Sequence, residues 1–109
     1  MFERTLAPVL DLANSRYDAA TDDLEEAQLT WKLAPGSNSI GFLIRHISEV
    51  DYRFCAMYFH SALPDHVELA TIGPVRDEGH FTKLAPLLAF RKEAAQYLRQ
   101  CLRQLPEAA

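Results

Sequence analysis

The chain has 109 residues, which is enough for one domain with its own core, and its net charge is a mild −4. A hydrophobic fraction of 49% with a charged fraction of 24% is typical of a globular protein and excludes intrinsic disorder. No Lys/Arg-rich stretch and no apolar run of membrane-spanning length occurs, so we expect neither a nucleic-acid partner nor a membrane span.

Three amphipathic helices are predicted in chain order within a single domain over residues 1–109. The first is expected at about 6–20, where Leu6, Val9, Leu10, Ala13 and Tyr17 recur at helical spacing. The second is expected at 39–62 and the third at 82–105, with a long loop between them. Because no segment alternates with the period of a strand, the sequence predicts an all-α fold.

The segment between the first two helices contains a clear turn signal. Pro35-Gly36 marks the turn, and Ser37 or Asn38 is a suitable N-cap for the second helix. We expect Trp31 to fold back onto the helices as a plug.

The second helix is apolar over more of its circumference than one neighbouring helix can cover. A helix of this kind normally lies within a bundle of four or more helices or against a second copy of itself. We therefore expect a homodimer that buries the groove left open by three helices. The apolar sector consists of Ile40, Leu43, Ile44, Ile47, Val50, Phe54, Met57 and Tyr58.

One carboxylate, Asp51, falls near the middle of this apolar sector. A buried carboxylate is costly unless it is paired or bound to a metal. We favour a structural ion pair with Arg16 or Arg91, within the chain or across a dimer. A general-base or metal-ligand role, and a small error in the helix phase, are the alternatives.

The other charges of this helix and the two cysteines do not indicate an active site. Arg45, Glu49 and Arg53 point away from the apolar sector and are predicted to form a solvated face. Cys55 and Cys101 are predicted to be buried, with no helix N-terminus or neighbouring base to activate either thiol. Two cysteines are too few for a secreted disulfide framework and the N-terminus lacks a signal-peptide pattern, so we expect a cytoplasmic protein.

His46 lies on the flank of the apolar sector and is the first candidate metal ligand. Neutral imidazole binds zinc or nickel, but a site needs at least three protein ligands. His46 and Asp51 project about 140° apart on the helical wheel, so we do not expect one ion to take both. His60 and His66 are predicted surface residues, and His80, just before the third helix, is a remote second candidate ligand.

The segment 29–51 combines Trp31, the Pro35-Gly36 loop, and a helix with His46 near its first third and Asp51 five positions later. This arrangement resembles the DinB and YfiT-like superfamily of metal-dependent helical bundles. The resemblance implies an up-down-down-up four-helix bundle, often dimeric, in which three histidines hold a divalent ion, usually nickel or zinc. His46 matches the first of these histidines. The other two form a His-x-x-x-His motif on a later helix, and this sequence contains no such motif.

Two functional hypotheses remain from the sequence. The one we favour is a non-catalytic DinB-like helical module, truncated relative to the family, that dimerises through its open groove. The alternative is a divalent-metal-binding protein or thiol-dependent transferase whose site is completed between chains around His46, with His80 as a further ligand. A fragment of a longer gene that encodes the remaining helix is a third reading.

Overall fold

Three α-helices and one short 3₁₀ helix form the fold in the computed structural model. The structure describes residues 2–58 and 62–103, without the side chains of residues 2–7, 10, 17 and 20. Helix α1 is Phe2–Thr21, the 3₁₀ helix is Glu26–Thr30, α2 is Ile40–Tyr58 and α3 is Leu84–Arg103. No strand occurs over the described ranges, so the prediction of an all-α fold with three long helices is confirmed. None of these helices is both long and apolar enough, within the same ranges, to cross a membrane.

Helices α2 and α3 run in the same direction and form the main packing unit of the molecule. Ile44 packs with Leu87 near the start of both helices, and Cys55 packs with Cys101 near the end of both. Because the chain leaves α2 at one end and must enter α3 at the other, a long connection is unavoidable. The long loop predicted between these helices is this connection.

Helix α1 runs antiparallel to α3, and polar contacts join the two helices among the described side chains. Asn14 accepts a hydrogen bond from Arg91 at 3.0 Å, and Asp11 is ion-paired with Arg99 further along. The apolar face predicted for this helix is not buried where its side chains are described, since Val9 is 62% exposed and Ala13 is also exposed. The predicted members Leu6, Leu10 and Tyr17 fall on side chains outside the described set.

The connection between α2 and α3, residues 62–83, is called the return loop. It begins where Ala62 O accepts a hydrogen bond from the Tyr97 hydroxyl at 2.6 Å, and it travels back to the start of α2. There the backbone of Phe81 approaches so closely that a Cβ added to Gly41 would lie 2.0 Å from Phe81 O. The return loop therefore covers one face of α2 over most of its length.

The N-cap of α2 is Ser39, not the predicted Ser37 or Asn38. Ser39 Oγ accepts a hydrogen bond from the Phe42 N–H at 3.2 Å, as an N-cap side chain does. Ser37 instead closes the preceding turn, where its hydroxyl donates to Ala34 O at 2.7 Å.

The 3₁₀ helix was not predicted, and it corrects the role expected for Trp31. It buries Leu29 completely against Ile44, so Leu29, and not Trp31, is the residue of this segment that packs into the core. Trp31 is 57% exposed. Its backbone is extended, with N–H bonded to Gln28 O and C=O bonded to the Ile40 N–H, and the core position is already filled.

Candidate functional site

A polar cluster lies between α2 and the return loop, and its centre is the fully buried carboxylate of Glu49. Glu49 Oε1 accepts hydrogen bonds from Thr71 N–H at 2.7 Å and from Thr71 Oγ1 at 2.8 Å. Glu49 Oε2 accepts one from Arg45 Nε at 2.5 Å. Three donors, one of them charged, compensate the cost of removing this carboxylate from water.

Arg45 extends the cluster toward α3. Its Nη2 donates to Glu68 O in the return loop at 2.6 Å, and its guanidinium lies 3.8 Å from the centre of the Phe90 ring. This stacked position is a favourable cation–π geometry. The prediction of a solvated face is therefore wrong for Arg45 and Glu49, because the return loop covers them, although Arg53 is exposed as predicted.

His46 is oriented by the same loop residue that binds Glu49. Its Nδ1 lies 3.2 Å from both Thr71 O and Thr71 Oγ1. Because a carbonyl oxygen only accepts hydrogen bonds, Nδ1 is assigned as the protonated nitrogen, which leaves the lone pair of the neutral ring on Nε2. A histidine held in this way through one nitrogen is able to bind a ligand through the other.

The remaining metal donors expected for such a site do not assemble around His46. His80 is exposed, and its Nε2 lies 3.3 Å from Glu78 Oε2 in the return loop. Across residues 2–58 and 62–103, no three His, Cys, Asp or Glu side chains are close enough together to hold a metal ion. His60 lies outside those residues. The described donor set therefore does not fit a resident zinc or nickel ion, since such sites need three protein ligands.

Asp51 is occupied by an ion pair that joins all three helices. Arg91 Nη1 donates to Asp51 Oδ2 at 2.6 Å, and Arg91 Nη2 donates to Asn14 Oδ1 at 3.0 Å. Of the two partners considered from sequence, the structure places Arg91, and not Arg16, at this carboxylate. With its oxygen bound to a guanidinium, Asp51 is placed as a structural anion at the helix junction.

A second polar contact, missed from sequence, fastens the return loop to α3. The buried Tyr52 hydroxyl donates to Glu93 Oε1 at 2.6 Å, and His66 Nε2 contacts the same oxygen. Burial and the neighbouring Glu93 raise the pKa of Tyr52, while hydrogen bonds from Tyr52 and His66 lower the pKa of Glu93. No spacing rule links Tyr52 with residues so far along the chain, so only the fold reveals the contact.

The side of α2 facing away from the return loop carries an exposed apolar stripe. Its members are each 39–65% exposed, although they come from the most apolar helix of the chain. Five of them are separated alternately by four and three residues, the spacing of a coiled-coil seam. The apolar stripe consists of Leu43, Ile47, Val50, Phe54 and Met57, with Tyr58 beside it.

A groove of about 590 Å³ separates α1 from α3. Asn14 and Asp18 line it from α1, and Lys92, Gln96 and Arg99 line it from α3. Neither His46 nor His80 is among the lining residues, so the groove is not an extension of the His46 cluster.

The model of the DinB superfamily matches residues 10–109, which is nearly the whole chain. No curated protein and no solved structure matches the chain.

Proposed function

We propose that this chain, which belongs to the DinB superfamily, is a non-catalytic helical module that pairs with a second copy of itself through the apolar stripe of α2. The observation that carries the proposal is the exposure of that stripe. An isolated domain rarely leaves a continuous row of large apolar side chains on a regular helix in water, and such rows mark interaction surfaces.

The composition of the stripe favours an identical partner. Its six side chains carry no charge, so two copies meet without like-charge repulsion and without an unpaired buried ion. The alternating spacing of four and three residues is the pattern that lets two helices interlock side chains along a seam. The exposed Arg53 borders the stripe, and its charge stays in water at the rim.

The polar groups that would otherwise suggest catalysis have structural partners. Glu49 and Arg45 bind the return loop, and Asp51 binds Arg91. Each contact ties one segment of the fold to another. We therefore assign these charged side chains to holding α2 and α3 in a fixed arrangement, with the apolar stripe on a different side of α2.

The proposal is tested with Val50→Glu, which places a carboxylate in the middle of the stripe. We expect the wild-type chain to sediment as a dimer and the variant as a folded monomer, because burying an unpaired carboxylate in the interface is costly. Gln100→Glu is the matched control, since it introduces the same side chain at an exposed position of α3. This control is expected to leave the dimer intact.

A wild-type chain that sediments as a monomer over the whole accessible concentration range would contradict the proposal. A dimer that survives Val50→Glu would also contradict it, since the interface would then lie elsewhere. Circular dichroism of each variant separates the loss of the interface from the loss of the fold.

The orientation of His46 favours a second candidate function, a divalent-metal site completed between chains. The Nδ1 contact with Thr71 leaves Nε2 as the nitrogen with the lone pair, which is the arrangement of many metal-bound histidines. At least three protein ligands would be needed to hold zinc or nickel, for example His46 from each of two copies together with a further ligand such as His80. A thiol-dependent transferase reaction would require this site and is proposed only with it.

This candidate is tested by elemental analysis of protein purified without a metal-affinity tag and then incubated with zinc or nickel. Stoichiometric metal that is lost in His46→Ala but kept in His66→Ala would support it. Metal content at the level of the buffer, before and after incubation, would overturn it and leave the non-catalytic module.

A further inference from the structure

Two thiols that the proposed function does not use lie against each other between α2 and α3. Cys55 is fully buried on the last full turns of α2, and Cys101 is 5% exposed on the last turn of α3. Both belong to one small cluster of buried side chains that also contains Leu98. They are the only cysteines in the sequence.

We propose that Cys55 and Cys101 form a redox-active pair that a hydroperoxide converts into an intrachain disulfide linking α2 to α3. The two cysteines belong to one cluster where α2 and α3 already pack together, so the bond would link the two helices at an existing contact. The closed loop contains the whole return loop and most of α3.

The reaction is balanced by one molecule of hydrogen peroxide. The sulfur of one cysteine attacks a peroxide oxygen, the O–O bond breaks, and the departing hydroxide takes a proton and leaves as water. The product is a sulfenic acid on that cysteine. The second thiol then attacks the sulfenic sulfur, an S–S bond forms, and the hydroxyl leaves with a proton as a second water. The two thiols are oxidised and the peroxide is reduced.

The position of the pair determines when it reacts. Burial raises the pKa of the Cys55 thiol, so within the closed structure it is held as the less reactive protonated form. Peroxide reaches a buried thiol only when the packing around it opens locally, so oxidation follows local opening of the contact between α2 and α3. Once formed, the disulfide prevents that opening.

The cysteine pair lies inside the α2–α3 contact and not on the apolar stripe, so the inference does not rest on self-association. Phe54 belongs to the stripe and is the sequence neighbour of Cys55, so the cross-link would also fix the end of the helix that presents the stripe. The mass measurement that tests it is made on denatured chains, so its result does not depend on whether the folded protein dimerises.

The experiment oxidises the folded wild-type chain with hydrogen peroxide, then denatures it in N-ethylmaleimide and measures the intact mass. We expect a monomer that is lighter by two hydrogens and carries no maleimide, and full labelling of both thiols after reduction. The oxidised form should also melt at a temperature on the order of 10 °C higher than the reduced form, because the bond restricts the unfolded chain.

Several results would overturn the inference. They are two maleimides per chain after peroxide, oxygen added to one cysteine without a disulfide, a disulfide-linked dimer, or an oxidised chain that melts no higher than the reduced one. Cys55→Ala and Cys101→Ala are the controls, since a chain with one thiol has no partner and must neither lose two hydrogens nor gain the higher melting temperature. If a control fails to fold, the comparison of oxidised and reduced wild-type protein still decides the question.

Discussion

Arg91 of α3 binds Asp51 of α2 through a hydrogen bond of 2.6 Å between Nη1 and Oδ2, and the same guanidinium reaches Asn14 of α1. The Arg91 guanidinium therefore contacts side chains of both other long helices. The Arg91 side chain is only 10% exposed, so removing the Asp51 carboxylate takes the counter-ion away from a buried guanidinium.

We therefore expect Asp51→Asn to lower the free energy of unfolding by about 2 kcal/mol. Asp65→Asn makes the same chemical change at an exposed position of the return loop, and its effect should stay within about 0.5 kcal/mol. Urea denaturation of both variants measures the difference. Equal stabilities for the two variants would show that the ion pair contributes nothing to the fold.

The contact of Glu49 with Thr71 predicts a larger loss of stability than the Asp51–Arg91 pair does, and one that is concentrated at the return loop. Glu49→Gln replaces a fully buried acceptor of three hydrogen bonds with an amide that also carries donors, so it leaves Arg45 without its counter-ion. We expect a loss of about 3 kcal/mol in the free energy of unfolding.

Hydrogen exchange locates this effect. The Thr71 amide, which donates to Glu49 at 2.7 Å, should lose its protection in Glu49→Gln before the amides of α3 do. Glu68→Gln is the control, because that side chain is exposed. Unchanged protection at Thr71 would contradict the assignment of Glu49 as the anchor of the return loop.

Two leucines on either side of Trp31, in the segment before α2, differ completely in burial. Leu29 is 0% exposed and Leu33 is 100% exposed. Leu29→Ala should cost about 3 kcal/mol through lost burial and the cavity it leaves, whereas Leu33→Ala should change stability by less than about 0.5 kcal/mol. Thermal unfolding of the two variants, which differ only in position, measures this contrast directly. A similar loss at both positions would mean that Leu33 is covered in solution, for example by a partner.

Asp77 predicts a stability change in acid. Partial burial by itself raises the pKa of this carboxyl, but hydrogen bonds from Ser39 and from the Gly79 N–H outweigh it and lower the pKa below the ordinary value. A carboxyl with a lowered folded-state pKa contributes stability above its unfolded pKa of about 4, and this stability is lost as the pH falls through the folded value.

Asp77→Asn should therefore be less stable than the wild type by a constant amount between pH 5 and pH 7, two pH values chosen for the assay about one unit or more above the unfolded pKa. The difference should shrink as the pH falls below about 4. Denaturant melts at a series of pH values, with Asp65→Asn as the comparison, test this. A stability difference that grows in acid would contradict a lowered pKa for Asp77 in the folded protein.

Much of the fold follows from the sequence because helices are local structures. The repeat of Leu87, Ala94 and Leu98 along α3 and the apolar surplus of α2 are set by spacing within each helix, and they are enough to predict the all-α class. The same reasoning indicated a structural pair for Asp51, since a carboxylate in an apolar sector needs a cation wherever it comes from.

The candidate site was less predictable because its partners are distant along the chain. Arg45 and Glu49, four residues apart with opposite charges, have the pattern of an ordinary exposed pair on a helix. Nothing in that spacing shows that Thr71 will cover them. The return loop has no periodic pattern, so its path cannot be obtained from the spacing of its residues.

The sequence by itself determined where the three long helices lie and that α2 has more apolar surface than two neighbours are able to cover. Both properties depend on residues only a few positions apart. Only the tertiary structure decided which charges are buried, that Leu29 and not Trp31 fills the core, and that Cys55 meets Cys101. Those outcomes depend on which distant segments pack together, and this packing is settled by the balance of burial and hydrogen bonding over the whole fold.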